Sequence, residues 1–277
     1  MNAGPQHSGD HTLYHSGMRT PEAPFAYGQD LAWVHDVGHG DFARGSAPGL
    51  LKILAEQGAQ ANGPGRVVDL GCGSGILAAE LNRAGYQVLG VDISPAMISL
   101  ARERAPESTF VVASLFSVEL PECDAVTSIG ECMSYAFDPA SGEAGLAQLL
   151  ARIHAALRPG GVLVFDVLEP GQVEAGKVDT RVSDTGEWTL IREASEDEVA
   201  RTLTREITVF RRIGAGGGPA LYRRSDERHL VHLYDADTVA ALTSLAGFAE
   251  VHRLDRYGDL EFRPGHVGFM AVKDPRP

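Results

Sequence analysis

Short apolar runs and stretches of helical spacing alternate through the middle of the chain. Val67-Val68-Asp69-Leu70 reads as a strand ending in an acid, and Gly71-Cys72-Gly73-Ser74-Gly75 as a glycine turn into a helix over 76–84, stopped by Gly85. A second strand over 87–91 ends in Asp92. The helix over 96–104 has Ser94 as its cap and Pro95 at its first position. Strands follow at 109–113, 124–129 and 161–167, the last two separated by a helix over 142–157. Strands alternating with helices at this spacing predict a parallel α/β sheet.

The flanks have other patterns. Residues 1–24, rich in Gly, His, Ser and Pro without apolar period, read as a mobile tail. Residues 25–62 read as a helical segment in two pieces broken near Gly38-His39-Gly40. After the fifth strand, 187–194, 199–212 and 221–233 alternate polar and apolar residues, as antiparallel strands do, with a glycine-rich link at 212–220. A helix over 235–246, with Asp235 as its expected cap, and a hairpin from 250–257 and 266–272 complete the chain. The division predicted is therefore tail (1–24), helical lid (25–62), core (63–170 and 235–277) and antiparallel β insertion (171–234).

Length and composition suit one sizeable α/β domain with an elaboration: 277 residues, 44% hydrophobic. A formal net charge of −13 argues against sequence-independent binding to nucleic acid or anionic membrane. No apolar run reaches membrane length. Cys72, Cys123 and Cys132 lack disulfide or metal spacing, so a cytoplasmic location and no metal are expected.

The turn carries the chemistry. Glycine lets a ligand approach the backbone, and the helix that opens there presents free N–H groups. Dinucleotide sites use G-x-G-x-x-G to receive a pyrophosphate; here Gly71, Gly73 and Gly75 give G-x-G-x-G, preceded by Asp69, whose charge suits a cationic ligand. Asp92 stands where a carboxylate reaches a ribose diol. Val-Asp-Leu-Gly-Cys-Gly-Ser-Gly, with Asp92 and the later Arg158-Pro159-Gly160-Gly161 before the fifth strand, resembles the class I S-adenosylmethionine-dependent methyltransferases of small-molecule type.

That resemblance implies a Rossmann-like sandwich: a mostly parallel seven-stranded sheet with an antiparallel last strand, and an insertion after the fifth strand walling the substrate pocket. It implies S-adenosylmethionine as cofactor, cradled by Asp69, Gly71, Cys72, Gly73 and Gly75, with the ribose on Asp92. Ile93 and Met97 flank the adenine in this reading, although Met97 is equally suited to helix core. Ser114 stands where the family often has an acid for the adenine amino group; its hydroxyl and the Leu115 amide remain as partners, and Ile129 and Gly130 form the last wall.

Methyl transfer is an in-line displacement, so alignment and exclusion of water do most of the work, and a base is needed only for an acceptor that must lose a proton. Glu131, directly after the fourth strand, is the first catalytic candidate; Tyr135, His35 and Asp166 follow. Tyr27 and Trp33 of the lid are candidates for the substrate wall, against the alternative of ordinary helix packing. In the charged run 222–229, Arg223, Ser225, Glu227 and His229 share one face. Arg223 or His229 facing the pocket would bind a carboxylate or phosphonate; the alternative is a solvated ladder of ion pairs. Tyr257 and His266 are weaker candidates of the same kind. The expected partner is a small molecule rather than nucleic acid or membrane, with the oligomeric state open and a homodimer one option. A methyltransferase of protein or tRNA, and a non-catalytic binder of the cofactor, are the rival readings.

Overall fold

The computed structural model describes residues 26–59, 63–214 and 220–276. The predicted tail at 1–24 and most of the link between the last two insertion strands lie outside these residues. Two helices lead in, α1 (Gln29–His39) and α2 (Asp41–Glu56). The core then runs β1 (Arg66–Leu70), α3 (Ile76–Arg83), β2 (Gln87–Asp92), α4 (Pro95–Arg104), β3 (Thr109–Val112), β4 (Cys123–Ser128), α5 (Glu143–Ala156) and β5 (Leu157–Leu168). The insertion holds β6 (Asp179–Asp184), β7 (Trp188–Asp197), β8 (Thr202–Ile213) and β9 (Leu221–His232). The chain returns through α6 (Ala236–Leu245), β10 (Glu250–Leu254), a small ribbon of β11 (Arg256–Tyr257) and β12 (Leu260–Glu261), and β13 (His266–Val272).

The main sheet has the order β10-β13-β5-β4-β1-β2-β3, parallel from β5 to β3, with β13 antiparallel to both its neighbours. The predicted Rossmann-like architecture is present. Pleating sorts its side chains into two cores. Val67, Ala125 and Val164 pack with α2, α3 and α4, while Val68, Val126 and Phe165 pack with α5 and α6. Leu50 and Leu54 of α2 are fully buried, each worth about 1.5–3 kcal/mol of transfer from water.

Strands β6 to β9 form a separate antiparallel sheet, with Leu190, Ile207 and Val209 packed on Leu31 and Val34 of α1. Strand β6 was not expected, because its DTRVSD sequence is exposed and has no apolar alternation; pairing with β7 alone defines it. Asp235 stands at the N-cap of α6, but its side chain makes no capping bond: it pairs with Arg201 at 2.7 Å instead.

Candidate active site

Parallel strands leave their carboxyl ends open to a crevice, and the insertion sheet and α1 roof it here. The result is one cavity of about 560 Å³ that runs from the glycine turn to the inner face of β7, β8 and β9.

At the turn end, Asp69 is buried; its Oδ1 accepts from Thr127 Oγ1 at 2.7 Å, and Oδ2 has no hydrogen-bond partner. Burial, opposed by the Thr127 bond and reinforced by the charge of Asp92, pushes its carboxyl up to about 7. Asp92 accepts from Gly73 N and Ser94 N, both at 2.9 Å, so the second strand holds the turn in shape. Ser94 caps α4 through Met97 N at 3.1 Å, as its sequence position predicts, and also donates to Tyr27 O at 2.7 Å. That second bond ties the N-terminal segment to the core.

Asp69, Gly71, Cys72, Gly73 and Asp92 all line the cavity. So do Ile93, Met97, Ser114 and Leu115 further along, and Ile129 and Gly130 on the facing side. Gly75 does not. Its φ of +74° starts α3, and a Cβ there would meet Ala101 at 3.0 Å, so packing against α4 is the reason for glycine. At Gly73 a Cβ would meet nothing within 4 Å, which leaves the backbone open for close approach. Ser114 Oγ accepts from Phe116 N at 3.1 Å, so part of its capacity serves its own turn.

In the middle of the cavity the chain takes a strained path. Glu131 has φ +61°, uncommon for a residue with a Cβ, and Asp166 holds it there by accepting from Gly130 N at 3.0 Å and Glu131 N at 2.5 Å. Tyr257 donates to the same Asp166 carboxylate at 3.0 Å. Asp166 and Tyr257, candidates by sequence, are thus fully buried supports of the turn and do not line the cavity. His266 does line it; its Nε2 lies 2.8 Å from Asp166 without hydrogen-bond geometry.

Glu131 faces the cavity but is engaged: Arg205 Nη1 donates to Oε1, Tyr135 donates to the same oxygen at 3.3 Å, and Arg263 lies 3.5 Å from Oε2. Burial would raise the carboxyl, but Arg205, with help from Arg263 and His266, outweighs it and holds the group below its usual range. Tyr135 also bonds Arg205 at 2.9 Å and the Tyr27 hydroxyl at 3.0 Å. Burial raises both phenols, so they remain hydroxyls. His35 lines the cavity beside them; burial and His39 push its imidazole down to about 4, leaving it neutral.

The charged run divides as its period predicts. Glu227 and His229 point inward, and the Glu227 carboxylate receives Tyr27 N at 3.0 Å, Gly28 N at 2.8 Å and His229 Nε2 at 2.9 Å. His229 lines the cavity; Arg223 does not. Arg223 lies farther along β9, where it pairs with Asp30 of α1 at 2.6 Å, so it fastens α1 to the insertion. Trp33 is likewise outside the cavity, with the Arg211 guanidinium 4.0 Å above its ring. Neither of these two side chains lines the cavity.

Arg192, Arg205, Arg263 and Phe42 line the cavity without having been singled out in the sequence. The signal for Arg205 was present: it interrupts an otherwise apolar face of Leu203, Ile207 and Val209. Among the described residues no group of three or more His, Cys, Asp or Glu is arranged to hold a metal ion. No helix among them is long and apolar enough to cross a membrane.

These features test the fit of a nucleoside sulfonium. A buried carboxylate with one orphaned oxygen suits an ammonium, the open backbone at Gly73 admits close contact, and apolar Ile93, Met97 and Leu115 flank the space beyond Asp92. The fold and the site define a nucleoside-cofactor-binding α/β enzyme. Residues 67–161 match the family described as "Methyltransferase domain". The chain is 29% identical over 205 residues to a Geobacillus sp. (strain WCH70) protein that bears a methyltransferase name, covering 72% of this chain and 77% of that one. It is 36% identical over 110 residues to the ubiquinone biosynthesis O-methyltransferase of Alkalilimnicola ehrlichii, covering 37% of this chain and 41% of that enzyme. It thus spans less than half of the latter. The fold matches the crystal structure of an S-adenosylmethionine-dependent methyltransferase from Clostridium acetobutylicum with TM-score 0.72 at 17% identity, covering 88% of this chain and 98% of that one. The chain carries a methyltransferase domain over residues 67–161 and resembles the class I S-adenosylmethionine-dependent methyltransferases in sequence motif and fold, and S-adenosylmethionine is its cofactor.

Proposed function

We propose that this methyltransferase acts on a small-molecule acceptor bound between α1, the insertion sheet and the segment before β13. The observation that carries this reading is the roofed cavity, which continues past the glycine turn to a wall of buried polar side chains. A roofed space of this size suits a small molecule, and the net charge of −13 disfavours RNA.

Asp69 and the Gly71–Gly73 backbone would hold the amino-acid part of the cofactor, Asp92 its ribose, and Ile93, Met97, Ser114 and Leu115 its adenine. Bound there, S-adenosylmethionine supplies an electrophilic methyl on a sulfonium. Glu131 places a fixed negative charge on the cavity wall, and its low basicity suits it to orienting Arg205 and Tyr135 rather than to removing a proton. Tyr27 and Tyr135 offer hydroxyl donors, and neutral His35 offers a ring nitrogen that can accept a hydrogen bond from the acceptor, its low basicity suiting it to orientation rather than to taking up a proton. The Glu227 clamp on Tyr27 and Gly28 holds α1 over the cavity and excludes water.

The test is a panel of small hydroxy, amino and carboxylic compounds with S-adenosylmethionine, read as formation of S-adenosylhomocysteine. At least one acceptor is expected, with turnover abolished in Asp92→Ala through loss of cofactor binding by calorimetry. Turnover only with tRNA or protein would overturn the proposal.

A further inference from the structure

The end of the cavity farthest from the glycine turn is cationic. Arg192 of β7 and Arg205 of β8 project from the inner face of the insertion, and Arg263, in the segment before β13, joins them. The Arg205 side chain is only 8% exposed, and that of Arg192 18%. Guanidinium carries five donors, and burial without acceptors is costly. Arg205 places Nη1 on Glu131 and Tyr135, and Arg192 places Nη2 on Asp179 at the outer edge. The Nε of each is buried with no partner.

The acids present do not neutralise the group. Glu131 serves Arg205 and Arg263 together, Asp179 is shared between Arg192 and Arg181, and Glu261 pairs with Arg256. Burial first, then the positive charges of Arg205, Arg181 and Arg263, push the Arg192 guanidinium down despite Asp179. The site holds more guanidinium than carboxylate charge and two buried Nε donors without a partner, with Glu131 Oε2 also free of a hydrogen bond beside Arg263, and planar guanidinium matches carboxylate and phosphate oxygens.

We infer that the methyl acceptor carries an anionic oxygen group, a carboxylate or a phosphate, which Arg192 and Arg205 hold at the insertion-sheet end of the cavity. The inference rests on the small-molecule reading above. It makes the anion an anchor: with that group on β7 and β8, the rest of the acceptor extends toward the turn at Gly130 and Glu131. Arg263, at the mouth, offers a second contact to a larger or doubly charged group.

The test is calorimetric titration of succinate, inorganic phosphate and neutral succinamide into protein saturated with S-adenosylhomocysteine, at matched ionic strength. Succinate or phosphate should bind, and succinamide should bind about tenfold more weakly or worse, since hydrogen bonds to charged groups differ by that order. Preference for succinate assigns a carboxylate, and preference for phosphate a phosphate ester. Arg192→Gln should weaken the anion about tenfold while S-adenosylhomocysteine affinity stays unchanged. Arg228→Gln, on the outer face in an exposed pair with Glu206, should alter neither. No anion binding to protein that holds S-adenosylhomocysteine, equal binding of succinamide, or full anion affinity in Arg192→Gln would each overturn the inference. Methylation of an uncharged small molecule together with no anion binding would leave the small-molecule reading standing and remove only the anchor.

Discussion

The ion pair between Glu131 and Arg205 is the most exposing test of the cavity's electrostatics. Its side chains are 10% and 8% exposed, so neither charge is well solvated. Removing one member of such a pair costs about 3–5 kcal/mol, most of it the penalty of a buried charge left alone. Glu131→Gln keeps an oxygen for Arg205 Nη1 and for Tyr135, which places the expected loss near the lower end, about 3 kcal/mol. Arg205→Met leaves the carboxylate without its main counter-charge and should cost a similar amount, about 3 kcal/mol. The double variant removes both charges and fills the space with an apolar chain. It should lie within about 1 kcal/mol of wild type, a coupling far beyond the additivity error of about 0.5 kcal/mol. The assay is urea unfolding at pH 7.5, followed by the fluorescence of the two tryptophans, Trp188, which is buried between α1 and the insertion, and Trp33, which packs against the same cluster. Unchanged m values would show that the loss is one of stability rather than compactness. A Glu131→Gln loss under about 0.5 kcal/mol, or single losses that simply add in the double variant, would refute the reasoning.

Asp69 makes a pH-dependent prediction: its folded carboxyl sits at about 7, above the ordinary range, so the folded state binds more protons than the unfolded state between roughly pH 4 and 7. The unliganded protein should therefore lose stability from this group as pH rises through that window, and Asp69→Asn should flatten the trend; identical pH profiles for the two would refute it. S-adenosylmethionine, which brings an ammonium, should bind more tightly as pH rises toward 7 with release of a proton, seen as a binding heat at pH 6 that changes with buffer ionisation enthalpy; a buffer-independent heat would argue against the Asp69 contact. Gly73 and Gly75 of the turn should separate cleanly. Gly75→Ala should cost about 2 kcal/mol of stability from positive φ and the clash with Ala101, with cofactor affinity retained, whereas Gly73→Ala should cost about 1 kcal/mol and weaken S-adenosylhomocysteine at least tenfold. Melting and calorimetry that show the opposite order would contradict the assignment.

Much of this protein is local in origin and therefore legible along the chain. Glycines at 71, 73 and 75 after an acid-ended strand, the Ser94-Pro95 start of α4, and the alternation of strand and helix all depend on near neighbours in sequence. They determined the sheet, the glycine turn and the cofactor family. The inward face of β9 was also readable, because a strand's period is two wherever it lies. Tertiary structure decided what faces what. Arg223 and His229 share a face, yet five intervening residues of strand separate a residue that grips Asp30 from one that lines the cavity. Asp166 lies near the carboxyl end of β5, the right place for catalysis, but the amides of Gly130 and Glu131 come to meet it and turn it into a support. Strand β6 has no pattern of its own and exists through its pairing with β7. The cationic end of the cavity is the largest such case. Arg192, Arg205 and Arg263 lie on three separate segments, and only the folding of the insertion over the sheet brings them to one wall. The sequence by itself determined the methyl donor, because that site is one continuous turn and its neighbouring strand; the acceptor's surroundings were decided by long-range packing, which no local spacing encodes.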